Sequence, residues 1–132
     1  MPQITGVLET ALYVDDLDRS VRFYQSLFGF EEIAHEQGRL RALGVDGRQV
    51  LLLFKKKASA HRHPGPHDGD GQLHLAFAIP ATELPAWEQR LKDFDITIEE
   101  RKLWDRGGTS LYFRDPDMHL LELATPGVWT IY

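Results

Sequence analysis

A chain of 132 residues, 42% of them hydrophobic, with a formal charge of −5 is sized for one globular domain and offers no electrostatic footprint for a nucleic-acid backbone. The run Lys55-Lys56-Lys57 is too short to reverse that balance. The absence of cysteine excludes disulfides, thiol nucleophiles and thiolate metal sites, so any metal must be held by imidazole and carboxylate.

Met1 to Leu8 lacks a basic region followed by an apolar one, and no apolar run approaches the ~20 residues that span a bilayer. The expectation is a soluble, cytoplasmic protein without a membrane partner. Ile4 to Val14 then alternates as a strand, Asp15 and Asp16 supply a helix cap, and Leu17, Val21, Tyr24 and Phe28 keep helical spacing up to Gly29, a C-terminal cap. Three short β-type runs follow, Phe30 to His35, Arg39 to Gly44 and Gln49 to Phe54. Asp46-Gly47 is a hairpin signal between the last two.

Residues 55–71 are rich in glycine, proline and histidine and are long for an internal connection. With His61, His63 and His67 they read as a surface loop, and as a candidate lid or proton donor. The order then repeats. Leu73 to Ile79 is a strand, Thr82 to Phe94 a helix with Leu84, Trp87, Leu91 and Phe94 on one side, and Ile96 to Trp104, Thr109 to Arg114 and Met118 to Ala124 are β-type runs. The turn Asp115-Pro116-Asp117 joins the last two.

The repeat can be followed residue by residue. Leu8-Glu9-Thr10-Ala11-Leu12-Tyr13-Val14 lies over Leu73-His74-Leu75-Ala76-Phe77-Ala78-Ile79 at a constant offset, so Glu9 falls on His74. Phe28-Gly29-Phe30 lies over Phe94-Asp95-Ile96 at an offset one residue greater. The fold class expected is α+β, two tandem βαβββ modules forming a curved mixed sheet around a concave site. Module 1 is about 4–54, the linker about 55–71, module 2 about 72–124 and the tail 125–132, all within one domain. Neither module alone buries much surface.

By the same symmetry Leu51-Leu52-Leu53-Phe54 and Leu120-Leu121-Glu122-Leu123 are equivalent final strands. Glu122 then shares a face with Glu9 and His74, while Leu121 and Leu123 face the helix. One imidazole and two carboxylates suit a divalent ion that keeps positions open for water or substrate. Glu122 would be costly to bury unpaired. Tyr112 shares a strand face with Ser110 and Arg114 and is placed to orient a substrate oxygen. Trp129, Ile131 and Tyr132 form an apolar tail that a monomer must expose or fold back.

The repeat resembles the vicinal oxygen chelate superfamily, which includes glyoxalase I, extradiol dioxygenases, fosfomycin-resistance enzymes and bleomycin-binding proteins. The resemblance is carried by Val14-Asp15-Asp16-Leu17-Asp18-Arg19-Ser20, Phe23-Tyr24, Leu27-Phe28-Gly29-Phe30, His74-Leu75-Ala76-Phe77 and Tyr112-Phe113-Arg114-Asp115-Pro116-Asp117 running on to Leu121-Glu122-Leu123. It implies metal ligands at Glu9, His74 and Glu122, catalytic roles for Glu122 and Tyr112, and substrate binding by Tyr112, Arg114, Ser110 and Tyr13. A homodimer is implied as well. Glu9 stands where histidine or glutamine is frequent, which favours a hard ion such as Mn²⁺ or Mg²⁺, with Zn²⁺, Fe²⁺ or Ni²⁺ as alternatives. The fourth ligand of glyoxalase I has no counterpart between Val50 and Phe54.

The leading expectation is a divalent-metal-dependent glyoxalase- or dioxygenase-like enzyme, a lyase, isomerase or ring-cleaving catalyst, acting on a small substrate that chelates the ion through adjacent oxygens. The alternatives are a metal-free binding protein of the bleomycin-resistance type and a fosfomycin-type thiol transferase. The last needs cations around the site, for which Arg114 and Arg106 are the candidates.

Overall fold

The computed structural model describes all residues, Met1–Tyr132, and its contacts divide the chain into two units, Met1–Asp70 and Gly71–Tyr132. Residues 55–70 thus belong to the first unit and the tail to the second. No helix is long and apolar enough to cross a membrane.

The first unit runs β1 (Glu9–Val14), α1 (Leu17–Phe28), β2 (Glu31–Glu36), β3 (Leu40–Val45), β4 (Gln49–Lys55), with sheet order β1-β4-β3-β2. The second runs β5 (His74–Ala78), a short 3₁₀ turn Ala81–Glu83, α2 (Leu84–Asp93), β6 (Glu100–Leu103), β7 (Thr109–Arg114), β8 (Leu120–Ala124), with order β5-β8-β7-β6. Each unit is a βαβββ module with its own four-stranded mixed sheet, its first strand lying parallel to its last at one edge.

Local chemistry explains the boundaries. The Asp16 carboxylate accepts the Arg19 N–H at 3.0 Å and caps α1, and Gly29 ends it in left-handed backbone at φ 74°. Asp95, its counterpart after α2, adopts the same region at φ 55°, so the repeat extends to the helix stop although the residue type differs. Asp46 and Gly47 both take positive φ, 51° and 63°, in the hairpin between β3 and β4. Strand β1 is shorter than its alternating pattern because Glu9 pairs with Val50. The Leu8 carbonyl still accepts the Val50 N–H at 2.9 Å, and this is the last bond to β4 before the pairing ends.

Helix α1 packs over β3 and β4, and Leu12, Val14, Val21, Tyr24, Leu27, Leu43, Leu51 and Leu53 form the first core. In the second unit Leu91, Leu111, Phe113, Leu121 and Leu123 are buried. Leu121 and Leu123 therefore point away from the face that carries Glu122, as the alternation requires. Of the α2 stripe, Leu91 is fully buried, Leu84 and Trp87 are half-buried and Phe94 is exposed.

The loop after β4 is fastened rather than free-standing. The Tyr13 phenol and His67 Nδ1 are 2.7 Å apart, and the His67 ring stands edge-on to Phe54 at 4.5 Å between centroids. Gly69 lies so close to the Tyr13 ring that a Cβ there would fall 2.3 Å from its edge. Asp68 accepts the Lys57 N–H at 2.9 Å. Tyr13→Phe removes the phenolic bond and keeps the ring. We expect amide exchange of residues 65–70 to speed up several-fold by hydrogen-exchange mass spectrometry while α1 is unchanged, since local opening is governed by local bonds.

Candidate metal and substrate site

The second unit brings together two of the three expected ligands. In the register of β5 on β8, His74 pairs with Leu120 and Ala76 with Glu122, which sets His74 and Glu122 on one face along a diagonal. His74 Nε2 lies 3.3 Å from Glu122 Oε1. The imidazole side chain is 52% exposed and the carboxylate 9%, so the pair opens outward over a buried acid.

Each ligand is oriented by its other atom. His74 Nδ1 is 2.9 Å from the Leu120 carbonyl oxygen; a carbonyl only accepts, so Nδ1 carries a proton and Nε2 is the ring atom turned toward Glu122. The Ser110 hydroxyl donates to Glu122 Oε2 at 2.6 Å, and the Trp104 indole N–H donates to Ser110 Oγ at 2.9 Å. An indole is donor-only, so the serine's one proton goes to the carboxylate, leaving Oε1 for the shared point with His74. Outer partners of this kind accompany metal-ligating histidines and carboxylates. The donor set thus fits a divalent ion at two positions. No third histidine or acid of this unit joins them.

Tyr112 faces Glu122 across the β7–β8 pairing and its ring lies 6.4 Å from that of His74, nearly parallel. Burial, and then the charge of Glu122, raise its phenol above the ordinary tyrosine range. Ser110 is fully buried and its hydrogen bonds, to Trp104, Glu122 and Tyr112, are within the protein. Arg114 is tied to Glu99 at 3.1 Å and to the Met118 carbonyl. Glu9 is exposed at the start of β1, and Tyr13 is engaged by His67. Leu52 pairs with Ala11 as Glu122 pairs with Ala76, so the first unit has leucine where the second has its acid.

Three residues near the pair had no signal in the sequence reading. Trp104 directly follows β6, and its place at the end of the β-type run gave no sign of a partner. Lys102 pairs with Ser110 and its ammonium lies 4.5 Å from the Trp104 ring centroid, a cation on the site's own face. His119 is fully buried. The Asp115-Pro116-Asp117 turn that precedes it was legible, but nothing marked the histidine as inward-facing.

The family model of the Glyoxalase/Bleomycin resistance protein/Dioxygenase superfamily matches residues 6–123. The metallothiol transferase FosB of Bacillus licheniformis is 29% identical over 96% of this chain and 79% of its own length. The fosfomycin resistance protein FosX of Listeria monocytogenes is 30% identical over 91% of this chain and 89% of its own. A crystal structure of lactoylglutathione lyase from Agrobacterium tumefaciens superposes with a TM-score of 0.91 at 34% identity, covering 98% of this chain and 99% of that one. By their names the Bacillus licheniformis relative is a transferase and the Agrobacterium tumefaciens protein a lyase.

Proposed function

The chain belongs to the Glyoxalase/Bleomycin resistance protein/Dioxygenase superfamily, and from that premise we propose that it is a divalent-metal-dependent enzyme acting on a small substrate that chelates the ion through adjacent oxygens. The observation that carries the reading is the His74–Glu122 pair, with Nε2 and Oε1 at 3.3 Å and each ligand's remaining atom already bonded. A metal-free binder has no use for that arrangement.

His74 and Glu122 are two ligands, and Glu9, first residue of the repeat-related strand, is the third. Two carboxylates and one imidazole favour a hard ion, Mn²⁺ or Mg²⁺, over Zn²⁺, Fe²⁺ or Ni²⁺. When bound, the ion supplies Lewis-acid stabilisation of negative charge developing on substrate oxygen. Ser110 and Trp104 hold the Glu122 carboxylate. Tyr112, kept protonated by burial and by Glu122, donates its phenolic hydrogen to a substrate oxygen. Arg114 and Tyr13 contribute to the substrate's outer contacts. The tail, with Trp129 71% and Ile131 94% exposed, is covered by a second copy in a homodimer.

Among reactions, the relatives favour opening of the epoxide of a fosfomycin-like phosphonate, and Lys102 adds a cation to Arg114 and Arg106 for such an anion. The test is ³¹P NMR of fosfomycin incubated with Mn²⁺-loaded protein, with and without a thiol, beside an absorbance assay on lactoylglutathione. Metal-dependent turnover of either substrate supports the enzyme reading. A protein that purifies without metal, binds none on titration and turns over neither substrate contradicts it.

A further inference from the structure

We infer that His119 is a positioning residue for the His74 ligand, acting through the backbone of Leu73; the functional consequence rests on the metal reading above. His119 lies in the β7–β8 turn, 0% exposed. Its N–H donates to Asp115 Oδ1 at 2.9 Å and its carbonyl accepts the Asp115 N–H at 3.1 Å. Asp115 Oδ1 also accepts the Asp117 N–H at 2.9 Å, so the turn closes on a buried carboxylate and fixes where the imidazole points.

From that base a continuous line of bonds leads to the ligand. Leu73 N–H donates to His119 Nδ1 at 2.9 Å. The Leu73 carbonyl accepts the Leu120 N–H at 2.8 Å. His74 Nδ1–H donates to the Leu120 carbonyl at 2.9 Å. A peptide N–H only donates, so His119 Nδ1 carries a lone pair and its proton sits on Nε2.

This line matters because β5 is an edge strand, paired with β8 alone, and His74 is its first residue. Edge strands fray from their ends. The His74 side chain is half exposed, so its aim depends on where its backbone is held. His119 supplies the bond just before that point, standing in for a strand that is not there.

The experiment compares wild type with His119→Leu, which removes the acceptor, and His119→Asn, which keeps an acceptor at the δ position. Long-range ¹H–¹⁵N spectra of the imidazoles in metal-free protein report the His74 tautomer, and Mn²⁺ titration reports affinity. Wild type and His119→Asn should show a single His74 signal with Nδ1 protonated. In His119→Leu that signal should average, and Mn²⁺ affinity should fall about 10–100-fold, the range for losing an outer partner of a metal ligand. Should His119→Leu not fold, Leu73→Pro deletes the donor at the strand's start and leaves the imidazole in place, with the same expectation. An unaltered His74 tautomer in a folded variant overturns the inference. If the tautomer collapses but wild type binds no ion, the positioning role stands and the metal reading falls.

Discussion

Glu122→Gln removes tight divalent-ion binding while the second unit stays folded. The amide keeps the shape of the carboxylate and its oxygen still accepts from Ser110, so the core around Leu121 and Leu123 is undisturbed. Two things are lost, the charge and the lone pairs of Oε1. If the amide nitrogen takes the Oε1 position, it also donates to His74 Nε2 across the 3.3 Å gap and occupies the second ligand. Affinity should therefore fall at least about a hundredfold, beyond the 10–100-fold typical of deleting an outer partner, measured by Mn²⁺ titration followed by electron paramagnetic resonance. The same variant has a second readout. Tyr112 is raised first by burial and next by the Glu122 charge, so neutralising Glu122 brings tyrosinate absorbance near 295 nm in at lower pH than in wild type. Burial persists, so the return is partial. Unchanged Mn²⁺ affinity would remove Glu122 from the site.

Gly108→Ala produces the largest expected loss of stability. A Cβ at Gly108 would lie 2.5 Å from the Gly127 carbonyl carbon, 2.7 Å from Val128 N and 2.8 Å from Gly127 O. All three are backbone atoms and none can swing aside. The tail must move away from β7, taking with it the Gly108 N–H bond to Gly127 O at 3.2 Å and the paired bonds between Thr109 and Thr125, at 2.8 Å and 3.0 Å. The Tyr132 hydroxyl, which donates toward the Ile79 and Ala124 carbonyls at 3.1 Å, is drawn off as well. Overpacking against side chains costs about 1–3 kcal/mol, and a backbone obstacle places this change at about 3 kcal/mol or above. The midpoint of thermal unfolding should drop by roughly 10–20 °C. Gly38→Ala is the control: its φ is 71° with open space around it, so only the left-handed penalty of about 1–2 kcal/mol applies. Equal midpoints for the two variants would show that the close approach carries no energy.

Much of this architecture was legible because it is written in periodicities. The α1 boundaries follow from Asp16, the helical spacing and Gly29, and strand β7 from its alternation. The second copy was visible because Glu9 and His74 share a position in matching strands, and the structure gives both units the same strand order. Strand ends were less legible, since a strand stops where its partner stops: Glu9 begins β1 because Val50 lies opposite, which no local pattern encodes. The long loop illustrates the same limit. Its glycines and prolines pointed to a surface excursion, but the Tyr13–His67 bond and the packing on Phe54 depend on residues far apart in the chain. Around Glu122, side-chain direction decided what composition did not. Ser110 emerges as the holder of a carboxylate, Trp104 as the donor that sets the serine's proton, and His119 as a buried anchor.

The central claim is that His74 and Glu122 hold one divalent ion. It is tested most directly by crystallising the protein from Mn²⁺-containing solution and measuring anomalous scattering at the manganese edge. The account predicts one anomalous peak per chain bonded to His74 Nε2 and Glu122 Oε1, at about 2.0–2.2 Å each. An anomalous map with no peak at His74 and Glu122, from protein shown to be folded and exposed to saturating Mn²⁺, would contradict it.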